Sequence, residues 1–201
     1  MDSISYLLDY LENIIDDPNK KEEKKLAVSA LNRMIEKNTD KAFTRYRSIE
    51  LLKKLFVQEN SKSIKIEIIR YFASIGEVSL VPFLLDTLGT EDEEMLADSI
   101  ATIGTFKDPN IYPYLKKFLT HKNPYILANT MIALWSFKSY RLRLMGHAVR
   151  LAMSKDVDTK KAFIYMIGET QGHQEKEKMY QYLEDEDQEI RKQASIALAK
   201  L

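Results

Sequence analysis

The feature that most constrains this chain is a spacing. Ser99 to Leu119 reads as the end of one helix, a turn at Gly104 and the start of another helix with Pro113 in its first turn. Versions of this stretch recur. The last apolar residues of alternate helices, Leu88, Leu119, Leu151 and Leu183, lie 31, 32 and 32 residues apart. The turns after the intervening helices, at Gly76, Gly104, Ser136, Gly168 and Lys200, lie 28, 32, 32 and 32 residues apart. Pro82 to Pro113 is another 31. A self-similar period of this length marks a stacked array, because one such unit cannot bury its apolar face alone.

Helical periodicity fills the space between the landmarks. Ile4, Leu7, Leu8, Leu11, Ile14 and Ile15 follow helical spacing, with Asp2 or Ser3 placed to cap. Pro18 and its neighbours end that helix, and a second follows with Leu26, Ala27, Ala30, Leu31, Met34 and Ile35 as its expected apolar face. Asn38 to Asp40 breaks the chain. Asp40 is placed to cap a third helix carrying Phe43, Tyr46, Ile49, Leu51, Leu52, Leu55 and Phe56. Ile64 to Ile75 closes on Gly76, which suits the left-handed position after a helix end. Pro82 and Pro113 fall in first turns, where a missing amide hydrogen costs nothing. Acidic runs at Glu91–Glu94 and Glu184–Asp187 read as turns and helix N-termini. The reading is about twelve helices in six pairs, with no strand-like alternation and no long linker.

Composition excludes several classes. The chain has no cysteine, which removes disulfides, thiolate metal sites and a cysteine nucleophile. Thirty basic and thirty acidic residues balance, where a protein that tracks phosphate backbones usually carries a basic excess. No apolar run is long enough to span a bilayer. The first residues lead into an amphipathic helix, not a secretory leader, so a cytoplasmic setting without membrane attachment is expected. His121, His147 and His173 have no ligand spacing between them, so no metal site is expected.

Late in the second helix of several pairs stand small-then-large pairs: Ala30-Leu31, Ser99-Ile100, Ala133-Leu134 and Ala197-Leu198. Ser99 to Gly104, Glu189 to Leu198 and Val81-Pro82-Phe83-Leu84-Leu85 together carry the resemblance to HEAT repeats. It is the short form named after phycobilisome lyases. The match runs from about Ile64 to Leu201. Neither the tetratricopeptide nor the ankyrin string is present. The resemblance implies a right-handed α-solenoid of about six helix pairs, all-α and HEAT/armadillo-like. Residues 1–201 would form one repeat domain, with residues 1–60 divergent and residues 61–201 in regular repeats of about 31–32 residues. It also implies that the second helices, about 22–36, 63–75, 92–104, 124–137, 157–168 and 188–201, line a concave face.

On that alignment Glu67, Arg70, Glu94, Asp98, Tyr125, Asn129, Lys160 and Lys192 point outward from the concave face. They are the expected contacts for a partner protein or peptide, with some of the face simply solvated. Trp135, the only tryptophan, is read first as a core residue filling a local gap. Arg141, Arg143, His147 and Arg150 form a basic patch, read first as a solvated outer face and second as a site for an anionic partner. The last helix keeps Ile190, Ala194, Ala197, Leu198 and Leu201 apolar and ends without a polar capping repeat. It is therefore expected to be covered or to pair end to end. The expected function is a non-enzymatic interaction scaffold that needs no cofactor. The alternatives are nucleic-acid binding, as in HEAT-like DNA glycosylases, and chromophore binding, as in phycobilin lyases.

Overall fold

The structure, a computed structural model, describes residues 3–35 and 42–201. The expected caps at Asp2 and Asp40, the break at Asn38 to Asp40, and the side chains of Ile35 and Phe43 lie outside the described residues. Among the described residues the chain is all-helical, with twelve α-helices, short 3-10 turns and no strand. It divides into two compact units, Met1–Phe106 and Lys107–Leu201.

The first unit contains α1 (Ser3–Ile14), α2 (Lys21–Ile35), α3 (Ala42–Gln58), α4 (Lys62–Ile75), α5 (Val81–Asp86) and α6 (Glu93–Thr105). The second helices α2, α4 and α6 pack side by side in that order; α1 packs on α2 and α3, α3 on α4, and α5 on α6. Because α4 has neighbours on several sides, it buries a wide face: Ile64, Ile66, Ile68, Ile69, Tyr71 and Phe72. Phe83 of α5 meets Phe56 of α3 and Phe72 of α4 edge-on, with ring centroids 5.2 and 5.6 Å away. Burial pushes the Tyr71 hydroxyl up to about 12.

The second unit contains α7 (Tyr112–Leu115), α8 (Pro124–Trp135), α9 (Lys138–Ala152), α10 (Val157–Thr170), α11 (Lys176–Tyr182) and α12 (Gln188–Leu198). Here α8, α10 and α12 lie side by side, α9 packs on α8 and α10, and α11 on α12. A 3-10 segment, Lys116–Thr120, continues α7 onto α8. Tyr112 stacks on Tyr140 with centroids 4.0 Å apart.

The period has a local cause. Each second helix from α4 to α12 begins at a residue whose N–H is held by a side chain two positions earlier. These are Ser61 on Glu59, Asp92 on Thr90, Asn123 on His121, Asp156 on Ser154 and Asp187 on Asp185, at 2.9 to 3.2 Å. Asp92, Asn123, Asp156 and Asp187 then accept N–H bonds from their own first turns. The five starts lie 31, 31, 33 and 31 residues apart.

Several expectations are corrected. Only Gly76, at φ +64°, is a left-handed glycine after a helix; its N–H bonds to the Phe72 carbonyl. Gly104 and Gly168 instead lie inside α6 and α10, and the left-handed residues after those helices are Lys107 and Gln171. A Cβ on Gly168 would meet Ala197 Cα at 3.2 Å, so this glycine lets α12 approach α10. Leu26 is exposed, because α2 turns Lys24, Ala27, Val28 and Leu31 inward. Tyr46 is likewise exposed, while Ser48, Ile49, Leu51, Leu52 and Leu55 face the core. Trp135 is only half-buried; the Arg141 guanidinium lies 5.7 Å from its ring centroid and Nε donates to the Trp135 carbonyl.

Candidate functional site

In the first unit the expected contact residues are brought together, and they bind one another. Asn32 of α2 donates through Nδ2 to the backbone carbonyl and the carboxylate of Glu67 on α4, at 3.0 and 3.2 Å. Glu67 lies 3.7 Å from Arg70 one turn on. Arg70 reaches α6 with a two-pronged grip on Asp98, at 3.2 and 3.1 Å. Glu94 pairs with Lys62 at 2.8 Å, and Lys62 also reaches the cap residue Asp92 at 2.9 Å. The result is a polar ladder running across α2, α4 and α6. Arg70 and Glu94 are exposed, and Glu67 and Asp98 are half-buried. The hydrogen bonds from Met95 N–H and Lys62 hold the Asp92 carboxyl below its ordinary value.

In the second unit the expected residues are more dispersed. Lys160 of α10 is half-buried and bonds Asp185 at 2.9 Å, in the turn before α12. Lys192 is exposed on α12 and pairs with Glu189 one turn earlier, at 3.4 Å. Asn129 is half-buried on α8. Tyr125 stands exposed in the first turn of α8. Its hydroxyl is held above its ordinary value by burial first, then by Asp158 and Glu189. Those carboxylates come from the first turns of α10 and α12, the next two second helices along the row. Asp158 and Glu189 were not singled out as contacts from the sequence. Their equivalence to Tyr125 lies in cap register, which different residue types conceal.

The basic patch falls on one helix, α9. Arg141, Arg143 and Arg150 are exposed there. Burial and then Arg150 hold the His147 imidazole below its ordinary value, so it adds less positive charge near neutral pH than its sequence position suggested. On the last helix, Ile190, Ala194 and Ala197 are buried, Leu198 half-buried and Ile196 exposed; Leu201, beyond its end, is half-buried.

One buried ion pair was not visible in the sequence pattern. Lys24, only 5% exposed, lies 3.6 Å from Glu59 beside a polar cleft of about 320 Å³ that also meets Ile15, Asp16, Lys21 and Gln58. Among the described residues no group of three His, Asp or Glu could hold a metal ion, and no helix is long and apolar enough to cross a membrane.

No family model and no curated protein matches the chain. Among solved structures it is similar to the crystal structure of an engineered protein studied as a structural genomics target. The TM-score is 0.53 and the identity 17%, and the match covers 100% of this chain and 96% of the other. At that identity the likeness concerns the fold alone.

Proposed function

We propose that the protein is a non-enzymatic interaction scaffold. Each unit is read as a run of HEAT-like helix pairs in a right-handed solenoid, with a partner protein or peptide bound along the second helices. The observation that carries this reading is the patch around Tyr125. An exposed aromatic on α8 sits within electrostatic reach of carboxylates from α10 and α12. An exposed aromatic with carboxylates on the neighbouring helix starts suits a lysine or arginine side chain of a partner. The ladder through Asn32, Glu67, Arg70 and Asp98 supports the reading in a different way. Paired charges held across neighbouring helices form a pre-ordered polar surface, and ordering a surface in advance lowers the entropy lost on docking.

The test is a photo-crosslinking residue at position 125, used in the cells that make the protein. Adducts are expected on a partner segment containing lysine or arginine. Y125A is expected to weaken capture of that partner at least tenfold, about 1.4 kcal/mol. Unchanged capture by Y125A, and by charge reversal at Arg70 and Asp98, would sink the proposal.

A further inference from the structure

Helix α9 has two apolar faces, and its own unit covers one. Leu144 and Leu151 are buried against the unit, with Tyr140, His147 and Ala148 half-buried beside them. On the opposite side Leu142, Met145, Val149 and the C-terminal cap residue Met153 are 81, 52, 54 and 77% exposed. Their spacing of three, four and four residues forms one stripe along about three turns, roughly 16 Å. A helix apolar on both sides is ordinarily buried on both. Isolated exposed apolar residues need no explanation, but four in register on one helix do.

The surroundings of the stripe identify its occupant. From Lys138 to Lys155 the chain carries Lys138, Arg141, Arg143, Arg150 and Lys155, and no Asp or Glu, within a protein of zero net charge. Among the described residues none of these five forms an ion pair. Elsewhere some cations, among them Arg47, Lys62 and Arg70, are paired. At 3.6 residues per turn, Arg143 and Arg150 flank one edge of the stripe and Arg141 the other. Arg141 is steadied by its bond to the Trp135 carbonyl, and Arg150 by a 3.4 Å contact to the Leu119 carbonyl; neither bond neutralises the charge.

Gly146 is the second clue. It sits in mid-helix, where glycine is a poor choice, and a Cβ there would meet nothing within 4 Å. Packing inside the unit does not call for a glycine. A gap between Leu142, Met145 and Val149 on the outer face lets another backbone come close.

We infer that the outer face of α9 docks an amphipathic helix of another protein, one with apolar residues along its centre and Asp or Glu along both edges. The stripe supplies the helix-against-helix contact, the arginines set orientation, and the two methionines adapt to the fit. A flat phosphate backbone would not use the apolar stripe. A membrane surface would not use the gap at Gly146. The chain's own acidic helix α1 is a poor candidate, because its Asp9 and Glu12 are already engaged by Arg47.

The probe is an 18-residue helical peptide with leucines spaced to match the stripe and glutamates on both edges, titrated into the isotope-labelled full chain. Amide shifts confined to Leu142–Met153 and its packing neighbours are expected. L142S/M153S and R143E/R150E should each weaken binding at least tenfold. Both pairs change exposed side chains, and circular dichroism verifies that the fold is retained. G146A should also weaken binding without loss of folding stability. The inference is overturned by any of four results: no α9 shifts at millimolar peptide; equal binding of a lysine-edged peptide; stripe-dependent binding to phosphatidylserine vesicles or duplex DNA without the peptide effect; or self-association lost in L142S/M153S. Binding here is independent of Tyr125, so Y125A should leave the peptide affinity unchanged.

Discussion

Identical residues in this chain have unlike roles, and the glycines separate them most clearly. Gly76 adopts φ +64° after α4, Gly168 admits Ala197 to within 3.2 Å of a Cβ position, and Gly146 faces open space. The substitutions should therefore diverge. G168A is expected to cost about 1–3 kcal/mol by overpacking, whereas G146A should stabilise by about 0.5–1 kcal/mol; urea unfolding midpoints measure both. The landmark role of Gly104 and Gly168 was legible in the sequence, but their place inside helices was not, because a cap glycine and a packing glycine are the same letter. The burial of Lys24 is hidden for a similar reason. A lysine interrupts the apolar spacing, which then favours Leu26, while Glu59 satisfies Lys24 in the folded chain. For Glu59 burial alone would raise the carboxyl pKa, but N–H bonds from Ser61 and Asn60 and the charge of Lys24 outweigh it, and the net shift is downward from 4.5. A depressed carboxylate contributes stability above its unfolded value and loses it as pH falls. The unfolding midpoint should therefore fall as pH drops below the ordinary value of 4.5, and E59Q should flatten that dependence.

At the scale of the element, the cap carries the repeat. Glu59, Thr90, His121, Ser154 and Asp185 are five different residue types performing one task, accepting the N–H two positions on. At His121 acceptance by Nδ1 places the proton on Nε2. A pattern search for identical residues passes over such a set, whereas the chemistry of a short acceptor unifies it. Asp187 accepts from both Glu189 and Ile190, while the Ser61 side chain makes no cap bond to its own first turn. D187A is accordingly expected to cost about 1 kcal/mol, against at most about 0.5 kcal/mol for S61A. Equilibrium denaturation of the two variants distinguishes them. Helix α9 teaches the complementary lesson. Its cations were plain in the sequence, but its second apolar face was not, since nothing local says which of two leucine rows the neighbours will cover.

At the scale of the whole molecule, opposite charges balance and most ion pairs stand near the surface, including the ladder between Arg70 and Asp98. Exposed pairs contribute little and are screened by salt. Raising sodium chloride from about 0.05 to 0.5 M should therefore move Tm by no more than ~2 °C, as calorimetry can measure, while weakening any acidic partner of α9 markedly. The chain divides into two units, Met1–Phe106 and Lys107–Leu201, a division that no linker or change of composition announced. By itself the sequence determined the all-helical class, the approximate helix limits and a period near 31 residues. Those features depend on apolar spacing, prolines and caps, which act over a few residues. Tertiary structure alone decided that Glu67, Arg70 and Asp98 would join one another, that Gly168 would admit a neighbouring helix, and that one side of α9 would be left uncovered. Each of those outcomes depends on what a neighbouring helix, distant along the chain, places opposite the residue or leaves open.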